Sequence, residues 1–202
     1  MKRSFRHLTP RYVFNRLKLI LYEIYNPDKP WLTKDSINLI DQLIKKSDVG
    51  LEFGSGRSTS WFLKRLSNLI SIETNELWYE KVKDRCKTEI EDGRLSYLIK
   101  KNEKEFLNFI QAIETESIDF VLIDGAFRDI CAVNILDKIK KSGVLVIDNI
   151  NWYIFVEKSK APIPKDIDYS NKIWKKFLTK TKSWRYIHTT DGITDTGIWI
   201  KK

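Results

Sequence analysis

Leu51-Glu52-Phe53-Gly54-Ser55-Gly56-Arg57-Ser58-Thr59 is the stretch whose reading decides the fold. It follows on from a short apolar run, Val49 to Phe53, that reads as a strand, and it leads into helical spacing over Thr59 to Leu66. A second apolar run, Leu69 to Thr74, comes next and carries Ile72-Glu73 near its end. A glycine-rich turn between a strand and a helix lets a ligand approach the backbone. An acid at the end of the next strand can hold a ribose diol. A Gly-x-Gly pair alone says little, and the strand–helix–strand setting gives it weight. The structural alternative is a tight turn with no ligand.

The same alternation continues outward. Leu95 to Ile99, Ile118 to Ile123 and Val144 to Ile147 read as further strands, separated by helical spacing over Glu76 to Ile90, Lys104 to Ile113 and Asp129 to Lys140. Phe120-Val-Leu-Ile123 and Val144-Leu-Val-Ile147 are continuous apolar runs, as expected of parallel strands covered on both faces. Ahead of the first strand, Asp35 to Ile44 puts Ile37, Ile40, Leu43 and Ile44 on one helical face. Beyond Ile150 the pattern changes. Pro162 and Pro164 mark a loop, Tyr169 to Leu178 is a basic helical stretch, and Trp184 to Thr189 and Thr196 to Ile200 flank Asp191-Gly192 as a hairpin. The expectation is an α/β, Rossmann-like, mostly parallel sheet closed by an antiparallel hairpin. A length of 202 residues suits one domain with a substantial core. We divide it into a helical segment (1–47), a cofactor-binding core (48–150) and a C-terminal helix and hairpin (151–202).

Charge is unevenly placed. The total is +9, but residues 1–30 carry seven Lys/Arg against two acids, residues 31–150 eighteen against twenty, and residues 151–202 eleven against five. The flanks are basic and the middle is slightly acidic. Two cysteines, Cys86 and Cys131, supply neither a disulfide framework nor a zinc site, so a reducing, cytoplasmic setting is expected. No signal peptide is evident, and the apolar run within Arg16 to Tyr22 is too short to cross a bilayer. The basic, aromatic stretch Tyr12 to Tyr25 is expected either to pack over the domain or a substrate pocket, or to touch anionic lipid weakly.

Charge also selects the ligand of the glycine turn. Dinucleotide sites have a third glycine where this chain has Thr59, and Glu52 would repel a pyrophosphate. S-adenosylmethionine has no phosphate and presents an ammonium, a carboxylate and a sulfonium. Glu52 would sit near the ammonium, directly or through water, and Glu73 on the ribose. The cofactor side is then Glu52, Phe53, Gly54, Ser55, Gly56, Ser58, Thr59 and Glu73, joined by Asp124.

At these residues the sequence resembles the class I S-adenosylmethionine-dependent methyltransferases. Within them it is similar to a group reading Trp, a helix, then Glu-Phe-Gly-Ser-Gly-x-Ser-Thr, here Trp31 and then Glu52 to Thr59. The resemblance runs through Ile72-Glu73, Trp78-Tyr79, Asp124-Gly125, Arg128, Cys131 and Gly143-Val-Leu-Val-Ile-Asp148-Asn149, with a looser match at Thr196 to Trp199. It implies a seven-stranded sheet with helices on both faces and the cofactor over the carboxyl ends of the first strands.

Asp124, Asp148 and Asn149 form a second group. If the fourth and fifth strands are neighbours, their ends lie roughly 5 Å apart and the three side chains converge. Two carboxylates and an amide oxygen would suit Mg²⁺ or another divalent cation, which would orient and acidify an acceptor hydroxyl. The arrangement is similar to catechol-type O-methyltransferases, but Gly125-Ala126-Phe127-Arg128 replaces the Ala-Asp-Lys usual there. A guanidinium at this point disfavours a cation and would anchor an anionic group or pair with Asp124. Without metal, Asp124 or Asp148 would act as general base or hydrogen-bond acceptor, or serve structure alone. Asp124, Arg128, Asp148 and Asn149 are therefore the catalytic candidates.

The expected activity is methylation of an oxygen on a small-molecule or glycan-type acceptor, one carrying negative charge if the basic flanks frame the pocket. An RNA methyltransferase gripping phosphates through the flanks is the alternative. A non-catalytic binding domain and an NAD-dependent enzyme are further ones. No Asn/Asp-Pro-Pro-aromatic tetrapeptide is present, which counts against the common amino-methylating nucleic-acid enzymes. Cys131 and His188 read as packing residues, His7 is too near the terminus to interpret, and Trp152 and Tyr153 would line the mouth of the site or pack in the core.

Overall fold

A computed structural model describes residues 9–162 and 169–202. Pro164 of the expected loop and His7 lie outside the described residues. Seven strands form one sheet: β1 (Val49–Phe53), β2 (Asn68–Glu73), β3 (Leu95–Ile99), β4 (Ile118–Ile123), β5 (Ile139–Asp148), β6 (Arg185–Thr190) and β7 (Asp195–Ile200). Their order is β3-β2-β1-β4-β5-β7-β6. All pairings through β5 are parallel, and β7 runs against both of its neighbours. The expected fold class and the C-terminal hairpin are both present. The chain leaves β1 towards β2 on one side and returns later to β4 on the other, so the carboxyl ends of β1 and β4 form the topological switch point at which open α/β sheets place their ligand crevice.

Eight helices accompany the sheet among the described residues: α1 (Pro10–Tyr25), α2 (Lys34–Leu43), α3 (Arg57–Leu63), α4 (Glu76–Arg85), α5 (Lys87–Glu91), α6 (Glu103–Ala112), α7 (Arg128–Asn134) and α8 (Lys172–Lys180). Alternate residues of each central strand feed two separate cores. Leu51, Phe53, Val121, Ile123, Leu145 and Ile147 pack with Phe106 and Ile110 of α6, Cys131 of α7, and Trp174 and Phe177 of α8. Phe120, Leu122, Val144 and Val146 pack on the other face with Ile37 and Ile40 of α2, Trp61 and Phe62 of α3, and Val82 of α4. That two-sided burial is why these strands read as unbroken apolar runs.

Three helical expectations are corrected. The spacing over Asp129 to Lys140 ends early: α7 stops at Asn134, and Ile139 already pairs with Ile118 as the start of a ten-residue β5. Lys140 belongs to the strand because its ammonium reaches Asp119 Oδ2 at 2.8 Å across the ladder. Gly143 lets the two strands close up, since a Cβ there would stand 3.0 Å from the Asp119 carbonyl oxygen. The single stretch Glu76 to Ile90 breaks at Cys86 into α4 and α5. The basic stretch after the loop begins late, at Lys172, where the Asn171 side chain accepts from the Ile173 amide at 2.8 Å and caps α8.

Candidate functional site

The glycine turn sits where β1 ends, its backbone fixed from both sides. The Gly54 amide donates to the Ile72 carbonyl at 2.8 Å, and the Asp124 amide to the Phe53 carbonyl at 2.8 Å. Gly54 has φ +98°, a left-handed conformation that a side chain would strain. Its Cα also faces Gly125 so closely that a Cβ on Gly125 would lie 2.9 Å from it. The turns after β1 and β4 therefore touch backbone to backbone, and only a glycine pair permits that.

Two acids flank this turn in different states. Glu52 is fully buried, its Oε2 accepting from the hydroxyls of Thr59 at 2.7 Å and Ser71 at 2.8 Å, while Oε1 has no partner. Burial pushes its carboxyl up from 4.5 to about 7, against the pull of the hydroxyls around it. Thr59 also accepts from the Gly56 amide at 2.9 Å, so Glu52, Thr59 and Gly56 form one chain of hydrogen bonds beneath the turn. Glu73 is a fixed group. Its Oε2 accepts from the Ser55 amide and hydroxyl at 3.1 and 2.8 Å, and Oε1 from the amides of Thr74 and Asn75 at 2.7 and 2.9 Å. Ser55 is further held by the Tyr97 hydroxyl at 2.6 Å, and its carbonyl accepts from the Trp78 indole at 2.7 Å. Phe53 points into the core away from the turn, and Ser58 is buried.

On the other side of the crevice, Arg128 joins the ends of β4 and β5. Its Nε donates to the Gly125 carbonyl at 3.0 Å. One terminal nitrogen donates to the Asp124 carbonyl and to Asp124 Oδ1, both at 2.9 Å. The other donates to the Asp148 carbonyl and to Asn149 Oδ1, the latter at 3.2 Å. A guanidinium has five N–H donors, and all five are used here. Asp148 turns its carboxylate away from Arg128, Oδ1 accepting from the Thr196 hydroxyl at 2.7 Å. Burial, and then the charge of Asp124, push the Asp148 carboxyl well above its ordinary range. The Asp124 carboxyl is also raised by burial, with Arg128 pulling it back. Asn149 adopts φ 51° and donates to the Thr194 hydroxyl at 2.5 Å.

This geometry does not fit a divalent cation. The Asp124 and Asn149 oxygens that would ligate one already accept from a positive guanidinium, and the Asp148 carboxylate faces Thr196. Among the described residues no group of three or more His, Cys, Asp or Glu side chains could hold a metal. The cradle around Glu52 does fit an ammonium-bearing ligand, because the buried, unpartnered Oε1 needs a donor.

Compared by sequence, the chain matches no family model and no curated protein. Compared by structure, it is similar to an O-methyltransferase from Bacillus cereus in complex with S-adenosylhomocysteine, at 14% identity and a TM-score of 0.58, over 93% of this chain and 91% of that one. A methyltransferase from Geobacter sulfurreducens gives 11% identity and 0.55, over 100% and 91%. The likeness shows the fold, a Rossmann-like sheet with a reversed C-terminal hairpin that this chain shares with these methyltransferases. Spermidine synthase from Thermotoga maritima shares it too, at 15% identity and 0.54 over 80% of this chain, but the chain spans only 55% of that enzyme's length.

Gly125, Tyr97 and Ser71 join this constellation around the turn without having been among the site candidates of the sequence. Gly125 had a signal in the Asp124-Gly125 pair at a strand end; Tyr97 and Ser71 had none, since they reach the turn only through strand pairing. Cys131 is buried in the core, where burial raises its thiol. His188 lies 3.1 Å from Asp195 within the hairpin. Tyr153 stacks on Trp174 and lies under Arg128, whereas Trp152 is 42% exposed. A cavity of about 350 Å³ between Phe155, α8, Tyr186 and Trp199 shares no residue with the crevice.

Proposed function

We propose that this chain is an S-adenosylmethionine-dependent methyltransferase acting, without metal, on an oxygen of a small-molecule or glycan-type acceptor. The observation that carries the reading is the buried Glu52 with its unpartnered Oε1, set beneath a backbone-to-backbone glycine crevice. S-adenosylmethionine, when bound, supplies an electrophilic methyl group on a sulfonium. Glu52 gives its amino end a carboxylate, and Glu73, whose four acceptor sites are taken by Ser55, Thr74 and Asn75, shapes the turn and meets the ribose by exchanging one of these donors. Gly54, Ser55, Gly56, Ser58 and Thr59 form the floor, and Trp78 holds the Ser55 backbone in place.

Arg128 does the holding that a cation would otherwise do at Asp124 and Asn149. It locks the two strand ends and leaves Asp124 Oδ2 free of it, so that this oxygen can take the proton of an acceptor hydroxyl. Asp148, kept towards its protonated form by burial, and Asn149 set the far wall. Negative charge on the acceptor would be met by the basic flanks rather than by Arg128, whose donors are spent. The same basic flanks leave an RNA acceptor as the second reading, distinguished by steep salt dependence.

Calorimetry with S-adenosylhomocysteine tests the reading. Micromolar binding is expected, falling at least tenfold in Glu52→Gln; no binding to folded protein would sink it. Glu73→Ala should weaken binding by a similar factor.

A further inference from the structure

We propose that α1 is an interfacial helix that seats this protein on an anionic membrane surface. The helix is inside out with respect to the domain. None of its residues is buried. Val13, Phe14, Leu17, Ile20, Leu21, Ile24 and Tyr25 are exposed, from 38% at Ile20 to 80% at Tyr25. At about 100° per residue these seven fall on one arc of roughly 140°. The side that meets the body, the half-covered Tyr12, Asn15, Leu19, Tyr22 and Glu23, carries a single aliphatic residue: Asn15 stands against Gly192 of the β6–β7 turn, and Tyr22 packs at the margin of the core that holds Trp61. A helix held on merely by tertiary packing would show the opposite arrangement.

Charge identifies the occupant of the apolar arc. Arg16 borders it on one side, and Arg11 and Lys18 on the other, with the Lys18 ammonium 4.2 Å over the Phe14 ring. The helix's one acid, Glu23, lies on the body side and is partly covered. Ahead of the helix the sequence adds Lys2, Arg3 and Arg6 and no acid. A second copy of the chain laid on this face would set cations against cations along both borders. An anionic bilayer surface satisfies both features, because the arc enters the acyl boundary while the borders meet phosphate headgroups. No described helix is long and apolar enough to cross a membrane, so α1 lies in the surface.

Flotation of the full chain with phosphatidylcholine vesicles, with and without phosphatidylglycerol, tests this. Binding is expected only to the phosphatidylglycerol vesicles, and it should weaken as salt is added. Leu17→Glu with Ile20→Glu should lower binding more than tenfold. Arg11→Gln, Arg16→Gln and Lys18→Gln should each cost about fivefold. All of these side chains are exposed and none belongs to the glycine turn or to the Asp124–Arg128 group, so thermal midpoint and S-adenosylhomocysteine affinity should stay as in the parent. The proposal is overturned if the chain does not float with anionic vesicles, or if the Leu17/Ile20 variant floats equally well. It is also overturned if light scattering shows a dimer that this variant dissolves, since a second copy would then own the face.

Discussion

Arg128 shows how one substitution in a motif redirects a site. The sequence placed Asp124, Asp148 and Asn149 at adjacent strand ends, and the pairing of β4 with β5 brings those ends together. What the sequence could not show was direction. Asn149 in a left-handed conformation and the Asp148 carboxylate turned to Thr196 depend on the hairpin that returns beside β5. Arg128 then fills the gap with five donors on five acceptors. A lysine has three donors and no planar fork, so Arg128→Lys should not rescue Arg128→Ala. Both should lose stability, the alanine variant by about 3 kcal/mol because it strands buried acceptors and the Asp124 charge. Turnover of the parent should be unchanged by EDTA, and a drop would restore the metal reading.

The elements were legible to the extent that they are local. β1, β3 and β4 have the boundaries their apolar runs imply: β1 and β4 are central strands covered on both faces, and the edge strand β3 buries Leu95 and Tyr97 on one face. The start of β5 was hidden because Ile139-Lys140-Lys141 has helical spacing with the preceding apolar residues. Only the long-range partner Ile118 decides it. The contact between the turns after β1 and β4 was equally hidden, although each turn was visible. It predicts that Gly125→Ala, a conservative change in an exposed loop by sequence standards, forces Gly54 away. A loss of 1 to 3 kcal/mol, roughly the cost of overpacking, is expected in urea unfolding, with a larger loss in S-adenosylhomocysteine affinity than Gly93→Ala produces. Gly93, with φ +77°, controls for turn strain, because a Cβ there meets nothing within 4 Å.

At the scale of the whole molecule, charge is distributed by task. The slightly acidic middle of the chain contains three of the carboxylates that burial pushes up, Glu52, Asp124 and Asp148, and the net positive charge lies in the flanks. An acid whose folded pKa is raised holds its proton in the folded state over a range where the unfolded chain has released it. The stability it allows is therefore fully present below the ordinary carboxylate range and is lost as pH rises through the folded value. For Glu52 that window runs from 4.5 to about 7, so by pH 8 its ionised carboxylate costs the ligand-free protein about 3 kcal/mol. The melting temperature of the free protein should accordingly rise as pH falls from 8 towards 5. Glu52→Gln should remove much of that slope by stabilising the protein at pH 8, where the parent is weakest. A bound ammonium removes the same cost by a different route, since it gives the ionised Oε1 the donor that the fold withholds. Saturating S-adenosylhomocysteine should therefore raise the melting temperature more at pH 8 than at pH 6 in the parent, and equally at both in Glu52→Gln. An equal increment in the parent would mean that Glu52 does not meet the amino end of the ligand.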